Sequence, residues 1–136
     1  MVNAYDVIVI GAGPSGSMAA YVAAKLGLRV LVLDRFRFPR IKPCGGGLTQ
    51  KSVALLRGLG IELNGVVRDT CKRVIVVNNA GSFLLMDSDP IISVVSRDEF
   101  DNYLLSNALE MGADYLVDRI VGGVDVHGGG TLMSLV

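Results

Sequence analysis

The chain has 136 residues, and its 13 Lys and Arg cancel its 13 Asp and Glu to a formal net charge of +0. That length is enough for one domain with its own core, and the neutral balance argues against nucleic acid as a partner. Two cysteines without CxxC spacing and a single histidine exclude a disulfide framework and a zinc centre, so no metal is expected and a reducing, cytoplasmic setting fits best.

Tyr5–Ile10 (YDVIVI) is a short β-branched apolar run and reads as a buried parallel strand. Gly11–Gly16 (GAGPSG) reads as a tight turn, Ser17–Leu26 as an Ala-rich helix and Gly27 as its stop. Arg29–Leu33 (RVLVL) is a second strand, which completes a βαβ unit with its right-handed crossover. Residues 34–48 follow as a basic, Gly/Pro-rich loop. Thr49 caps a helix through Leu56. Lys72–Val77 and Ser82–Met86 pair as a hairpin across Asn78–Gly81, and Ile91–Val95 is another strand.

Ser96 and Glu99 form an S-x-x-E capping box ahead of a helix that runs to Met111. Phe100, Tyr103, Leu104, Ala108 and Met111 recur there at helical spacing, and Gly112 ends it. Tyr115–Val121 and Gly123–Val126 are strands, and the stretch HGGGTLMSLV opens one more. The fold class is therefore α/β: a parallel sheet built on a βαβ unit, with a small antiparallel hairpin. No stretch reaches the ~18 uninterrupted apolar residues of a membrane span. The N-terminus lacks the basic start of a signal peptide.

Gly11-x-Gly13-x-x-Gly16 carries the first chemistry. It follows a strand and opens a helix, which is the context a dinucleotide-binding turn requires. Gly11 permits the turn, Gly13 lets a pyrophosphate approach the backbone, and Gly16 lets helix and strand pack closely, with Ala20 serving the same end one turn later. The N–H groups and dipole of the helix start face the phosphates. Asp34 closes the second strand, where an acid accepts hydrogen bonds from a ribose diol. The bland reading is a plain glycine turn in an α/β protein. A triphosphate loop is excluded, because Ser17 and Met18 stand where Gly-Lys-Ser/Thr would need Lys and Ser/Thr. An esterase is excluded by the lack of a GxSxG elbow, which leaves His127 a surface residue without a role.

The second chemistry is PRIKPCGGG at residues 39–47. Arg29, Arg35, Arg37, Arg40 and Lys42 cluster around it, so a local anion site is expected. Glycines at 45–47 remove side chains where a flat ring or long chain must pass, and nearby cations offset a diphosphate. Cys44 has a small buried thiol as its bland reading, and Cys71, which precedes a strand, is read as only that.

Tyr5–Arg35, FPRIKPCGGGLT and SRDEFDNYLLSNALEMGAD together resemble the geranylgeranyl reductase family, within the wider flavin group that includes the aromatic hydroxylases. The resemblance implies a Rossmann-like FAD-binding fold. FAD is then the cofactor, held by Gly11, Ala12, Gly13, Pro14, Ser15 and Gly16. Asp34 meets the adenosine ribose, with Arg35 near the adenine or ribose and the Val121 backbone at the adenine. Cys44, Gly45 and Gly46 come alongside the flavin, with Cys44 the catalytic candidate. Arg97 reaches the ribityl or pyrophosphate region.

The implied reaction is hydride delivery from reduced flavin to an isoprenoid C=C of a prenyl lipid or pigment. Reduced nicotinamide or ferredoxin would be the electron donor, and peripheral membrane contact suits such a substrate. A flavin monooxygenase or halogenase on the same scaffold, and a non-catalytic dinucleotide-binding module, are the alternatives. Enzymes of this family are longer and carry later Asp-Gly and Gly-Asp motifs. Residues 1–136 are accordingly expected to form the N-terminal part of an FAD-binding domain, binding FAD weakly and not turning over alone.

Overall fold

The computed structural model describes residues 4–127 and 130–136. Its elements run β1 (Val7–Ile10), α1 (Pro14–Lys25), β2 (Val30–Asp34), β3 (Gly47–Thr49), α2 (Gln50–Gly58), β4 (Val67–Cys71), β5 (Arg73–Asn78), β6 (Gly81–Met86), β7 (Ile92–Val95), α3 (Arg97–Glu110), β8 (Asp114–Val117), β9 (Val121–His127) and β10 (Gly130–Leu135). They fall into two units, Met1–Arg40 with Asp101–Val136, and Ile41–Phe100.

In the first unit β1, β2 and β8 form a parallel sheet with β2 central, in register Val7 to Val30 and Val32 to Tyr115. β2 is β-branched or leucine at every position but its last, and Val30, Val32 and Leu33 are essentially sealed from solvent. Each such side chain contributes about 1.5–3 kcal/mol of transfer free energy. α1 lays Ser17, Ala20, Tyr21 and Ala24 toward the interior, the i, i+3, i+4, i+7 stripe of an amphipathic helix. Three of the four are small, so the helix lies close to the sheet. Gly27 ends it with φ +85°. α3 buries Leu104, Leu105 and Ala108 in the same way, and Gly112 stops it with φ +102°. β9 and β10 form an antiparallel ribbon.

The second unit is antiparallel. β3, β7 and β4 make a three-stranded sheet with β7 central, and β5 pairs with β6 in register Asn78 to Gly81. The hairpin is the one the sequence predicts. Thr49 caps α2 through its hydroxyl, which accepts the Ser52 N–H at 3.3 Å, also as expected.

Several expectations need correction. β1 is not deeply buried: it forms an edge of its sheet among the described residues, and Ile10 is 58% exposed. Pro14–Gly16 belong to the first helical turn rather than to the loop, because proline's fixed φ suits that position. Residues 34–48 are not all loop, since Gly47 opens β3. Cys71 precedes β5 as expected but also ends β4, and is half-buried. Tyr115–Val121 is not one strand: Asp118 adopts φ +59° and breaks it into the end of β8 and the start of β9. A short polar side chain tolerates that conformation best. Ser96 turns its hydroxyl to the Asp98 carboxylate while Glu99 bridges to Arg68. Met111 lies outside the helix and is 43% exposed. Of the HGGG stretch, Gly128 and Gly129 lie outside the described residues.

Candidate functional site

The glycine turn sits between the end of β1 and the start of α1. Gly11 has φ +99°, open to glycine at little cost, and its N–H donates to the Leu33 carbonyl at 2.7 Å. Gly13 is the helix N-cap and provides no side-chain cap, which leaves first-turn N–H groups for an outside acceptor. A Cβ on Gly16 would fall 1.9 Å from the Gly11 carbonyl oxygen. That is the close helix–strand approach expected of the third glycine. Ser17, fully buried, donates its hydroxyl to the Ala12 carbonyl at 3.0 Å and so pins the turn from below.

Asp34 does more than its position announces. One carboxylate oxygen accepts the Ala12 N–H at 2.7 Å and the other accepts the Phe36 N–H at 2.8 Å. The acid therefore fixes the glycine turn and the start of the next loop together. Each oxygen still has a lone pair for a ribose hydroxyl. Tyr115 donates its hydroxyl to the Phe36 carbonyl at 2.9 Å. Burial, then the charges of Asp34 and Asp118, push its pKa up to about 12, so it stays a donor across the physiological range.

A cavity of about 290 Å³ opens here, lined by Gly11, Asp34, Arg35, Arg119, Ile120 and Val121 among others. Four predicted residues thus meet in one place: Gly11, Asp34, Arg35 and Val121. Arg35 packs its guanidinium 4.7 Å from the Phe36 ring centre. Arg119 and Ile120 were missed. Their presence follows from the Asp118 turn, which nothing in the sequence marks except an Asp next to a strand end.

Arg40 was expected only as one of several loop cations. Its side chain is 19% exposed, and its Nη2 lies 3.8 Å from the carboxylate of Asp101, which is fully buried. Phe36 and Phe38 lie 5.9 and 4.9 Å from the guanidinium carbon. Nη2 is also 3.9 Å from where a Gly13 Cβ would sit. Asp101 was missed, although a signal existed: it falls three and four residues before Leu104 and Leu105, on the apolar stripe of α3.

The second unit holds Cys44, Gly45, Gly46 and Arg97. Cys44 is exposed rather than buried, and its sulfur accepts the Gly46 N–H at 3.5 Å. A recess of about 320 Å³ is lined by Lys42, Cys44, Ser96 and Arg97 among others. The Gly46 N–H, then Arg97, hold the Cys44 thiol below its ordinary range. Alkylation of Cys44 should therefore reach half its limiting rate at a lower pH than a free thiol. Arg97→Met should move that midpoint part of the way back, because the Gly46 donor remains. An unmoved midpoint would remove Arg97 from the thiol's surroundings. A larger recess of about 740 Å³, near Gln50, Arg57, Asn64 and Asp89, contains none of the predicted site residues. Among the described residues no cluster of His, Cys, Asp and Glu could hold a metal.

The sequence pattern described as the FAD binding domain matches residues 4–130. The chain is 36% identical over 125 residues to digeranylgeranylglycerophospholipid reductase 2 of Methanothermobacter thermautotrophicus, covering 87% of this chain and 31% of that protein. A geranylgeranyl bacteriochlorophyll reductase-like protein from Thermoplasma acidophilum superposes with a TM-score of 0.82 at 29% identity, covering 96% of this chain and 34% of the other. The halogenase PltM, solved with phloroglucinol and FAD, superposes with a TM-score of 0.75 at 26% identity, covering 98% and 32%. The chain thus spans about a third of the length of each.

Proposed function

The chain belongs to the FAD binding domain family, and from that premise we propose that it is the adenosine-side FAD-binding part of an oxidoreductase that reduces isoprenoid C=C bonds. The observation that carries the reading is the cavity joining Gly11, Asp34, Arg35 and Val121 beside the uncapped start of α1. The residues fit the cofactor. First-turn N–H groups and the α1 dipole offer a seat for a diphosphate. Asp34 offers acceptors to a ribose diol, and the Val121 backbone edges the space for the adenine. Bound FAD would supply a two-electron carrier that takes and gives hydride. The protein's own work is to bind and orient it. Asp34 holds the turn and the ribose in one geometry, while Cys44, Gly45, Gly46 and Arg97 are read as the flavin-side residues.

The substrate reading is a prenyl lipid or pigment, supported by the similarity to reductases of such lipids. Peripheral contact with a membrane that presents the lipid belongs to the same reading, as does a reduced nicotinamide or ferredoxin donor. Among the described residues no helix is long and apolar enough to cross a membrane. A flavin halogenase is the second reading, favoured by the fold match to PltM.

Titration with FAD and with NADH, followed by fluorescence, tests the cofactor. FAD should bind in preference to NADH, and Asp34→Ala should weaken it by about 10-fold or more, since two N–H donors, that of Ala12 buried, lose their acceptor along with the ribose. Saturation by NADH with no competition from FAD would overturn the reading. Anaerobic reduction of a geranylgeranyl lipid by the flavin-loaded full-length protein separates the two activities, since a halogenase needs oxygen.

A further inference from the structure

Arg40 is the one cation of its cluster that is drawn into the protein. Arg29, Arg35, Arg37 and Lys42 are exposed, and Arg29 and Arg37 are engaged in surface bridges with Asp6 and Asp118 at 3.0 and 2.9 Å. Arg40 is mostly buried, yet poorly satisfied. Its contact with Asp101 is 3.8 Å, longer than a good charge-assisted hydrogen bond of about 2.7–2.9 Å. Its Nε is buried with no hydrogen-bond partner. A guanidinium carries five N–H donors and no acceptor, so an unmet buried donor is a real cost. Another edge of the same guanidinium faces the glycine turn. Nη2 lies 3.9 Å from where a Cβ on Gly13, the N-cap of α1, would sit.

We propose that Arg40 grips the dinucleotide diphosphate at Gly13, and that the buried Asp101 positions it. The proposal rests on the dinucleotide reading of the glycine turn. Phe36 and Phe38 flank the guanidinium and limit its swing. Asp101 neutralises the charge while no ligand is present and holds one edge of the fork. Nη2, shared between Asp101 and the glycine turn, is the donor a phosphate oxygen would meet. Arginine suits this task better than lysine, because its planar fork meets two oxygens at once. Asp101 touches no ligand here; it acts through Arg40.

The test compares binding of FAD, ADP and adenosine by wild type, Arg40→Met, Arg40→Lys, Asp101→Asn and the double variant R40M/D101N. Arg40→Met should weaken ADP and FAD by about 10- to 100-fold and leave adenosine unchanged. Arg40→Lys should recover part of that loss, and ADP binding to Arg40→Met should become less sensitive to salt. Asp101→Asn should weaken ADP by a smaller factor, and the double variant should bind ADP no worse than Arg40→Met, because both changes act through one contact. If a single variant fails to fold, the double variant, which leaves no buried charge unpaired, and Arg40→Lys carry the comparison.

ADP binding by Arg40→Met equal to wild type would overturn the proposal. So would equal losses for adenosine and ADP, which would mark Arg40 as structural only. Loss of ADP binding in Arg40→Met, with NADH saturating the wild type and FAD unable to compete, would keep the grip and remove the flavin reading. A wild type that binds neither ADP nor FAD would overturn both.

Discussion

Gly16→Ala is expected to unfold the first unit at a much lower temperature and to abolish dinucleotide binding. Helix propensity alone would favour the change by about 1 kcal/mol, since alanine is the better helix former. Packing decides otherwise. The added Cβ would lie 1.9 Å from the Gly11 carbonyl oxygen and 3.1 Å from both the Gly11 carbonyl carbon and Val9 Cγ1. The obstacle is backbone on a strained turn, so no rotamer change relieves it. α1 must move off β1, and the Ser17 and Asp34 hydrogen bonds that hold the turn go with it. Overpacking of this kind costs about 3 kcal/mol, and for a unit of this size each kcal/mol shifts Tm by about 4–8 °C. Thermal denaturation beside an ADP titration measures both effects. Gly27→Ala is the control. It carries φ +85° but has nothing within 4 Å, so it should cost only about 1 kcal/mol of backbone strain. Equal effects at the two positions would mean that the turn relaxes around the added Cβ and crowding does not select glycine at 16.

Gly46→Ala is expected to be the most damaging change in the second unit. Gly46 has φ +66°, and its added Cβ would fall 2.0 Å from the Val95 carbonyl oxygen. Left-handed strain and backbone collision add, to about 3–4 kcal/mol. The Val95 N–H that donates to the Gly46 carbonyl at 2.9 Å would be displaced as well. A second readout separates this from general unfolding. Where the variant is folded, its Gly46 N–H no longer meets Cys44, so the thiol should titrate closer to its ordinary range. Gly45→Ala, with open space around its Cβ, should melt like wild type. A Gly46→Ala protein with unchanged melting and unchanged thiol acidity would disprove the account.

These contrasts refine the glycine run. In the sequence, residues 45–47 read as one stretch cleared for a ring or chain to pass. In the structure only Gly45 faces open space. Gly46 is glycine because Val95 crosses it, and Gly47 would bring a Cβ to 3.2 Å from Ile92. Spacing alone cannot separate a glycine that makes room for a ligand from one that makes room for its own chain.

The βαβ core was legible because each part is local. β-branched runs, a small-residue stripe and two glycine stops need no distant partner to be recognised. The hairpin and the Thr49 cap were legible for the same reason. β3 and β4 were not: they are short, mixed in polarity and stabilised by pairing with β7 from distant sequence. The Asp118 break was hidden because a single left-handed residue leaves no periodicity. Within the site, the glycines and Asp34 stood out through order and spacing. Asp34's grip on Ala12, and the Arg40–Asp101 pair, 61 positions apart in sequence, are products of tertiary folding.

One consequence of β1's place in its sheet reaches beyond binding. Its four apolar residues run along an edge that no other strand covers among the described residues. Every second amide and carbonyl on that side is an unanswered offer to any extended peptide. An edge of this kind makes self-association rise with protein concentration. A lysine or proline placed on that ledge would protect it without touching the glycine turn at its end.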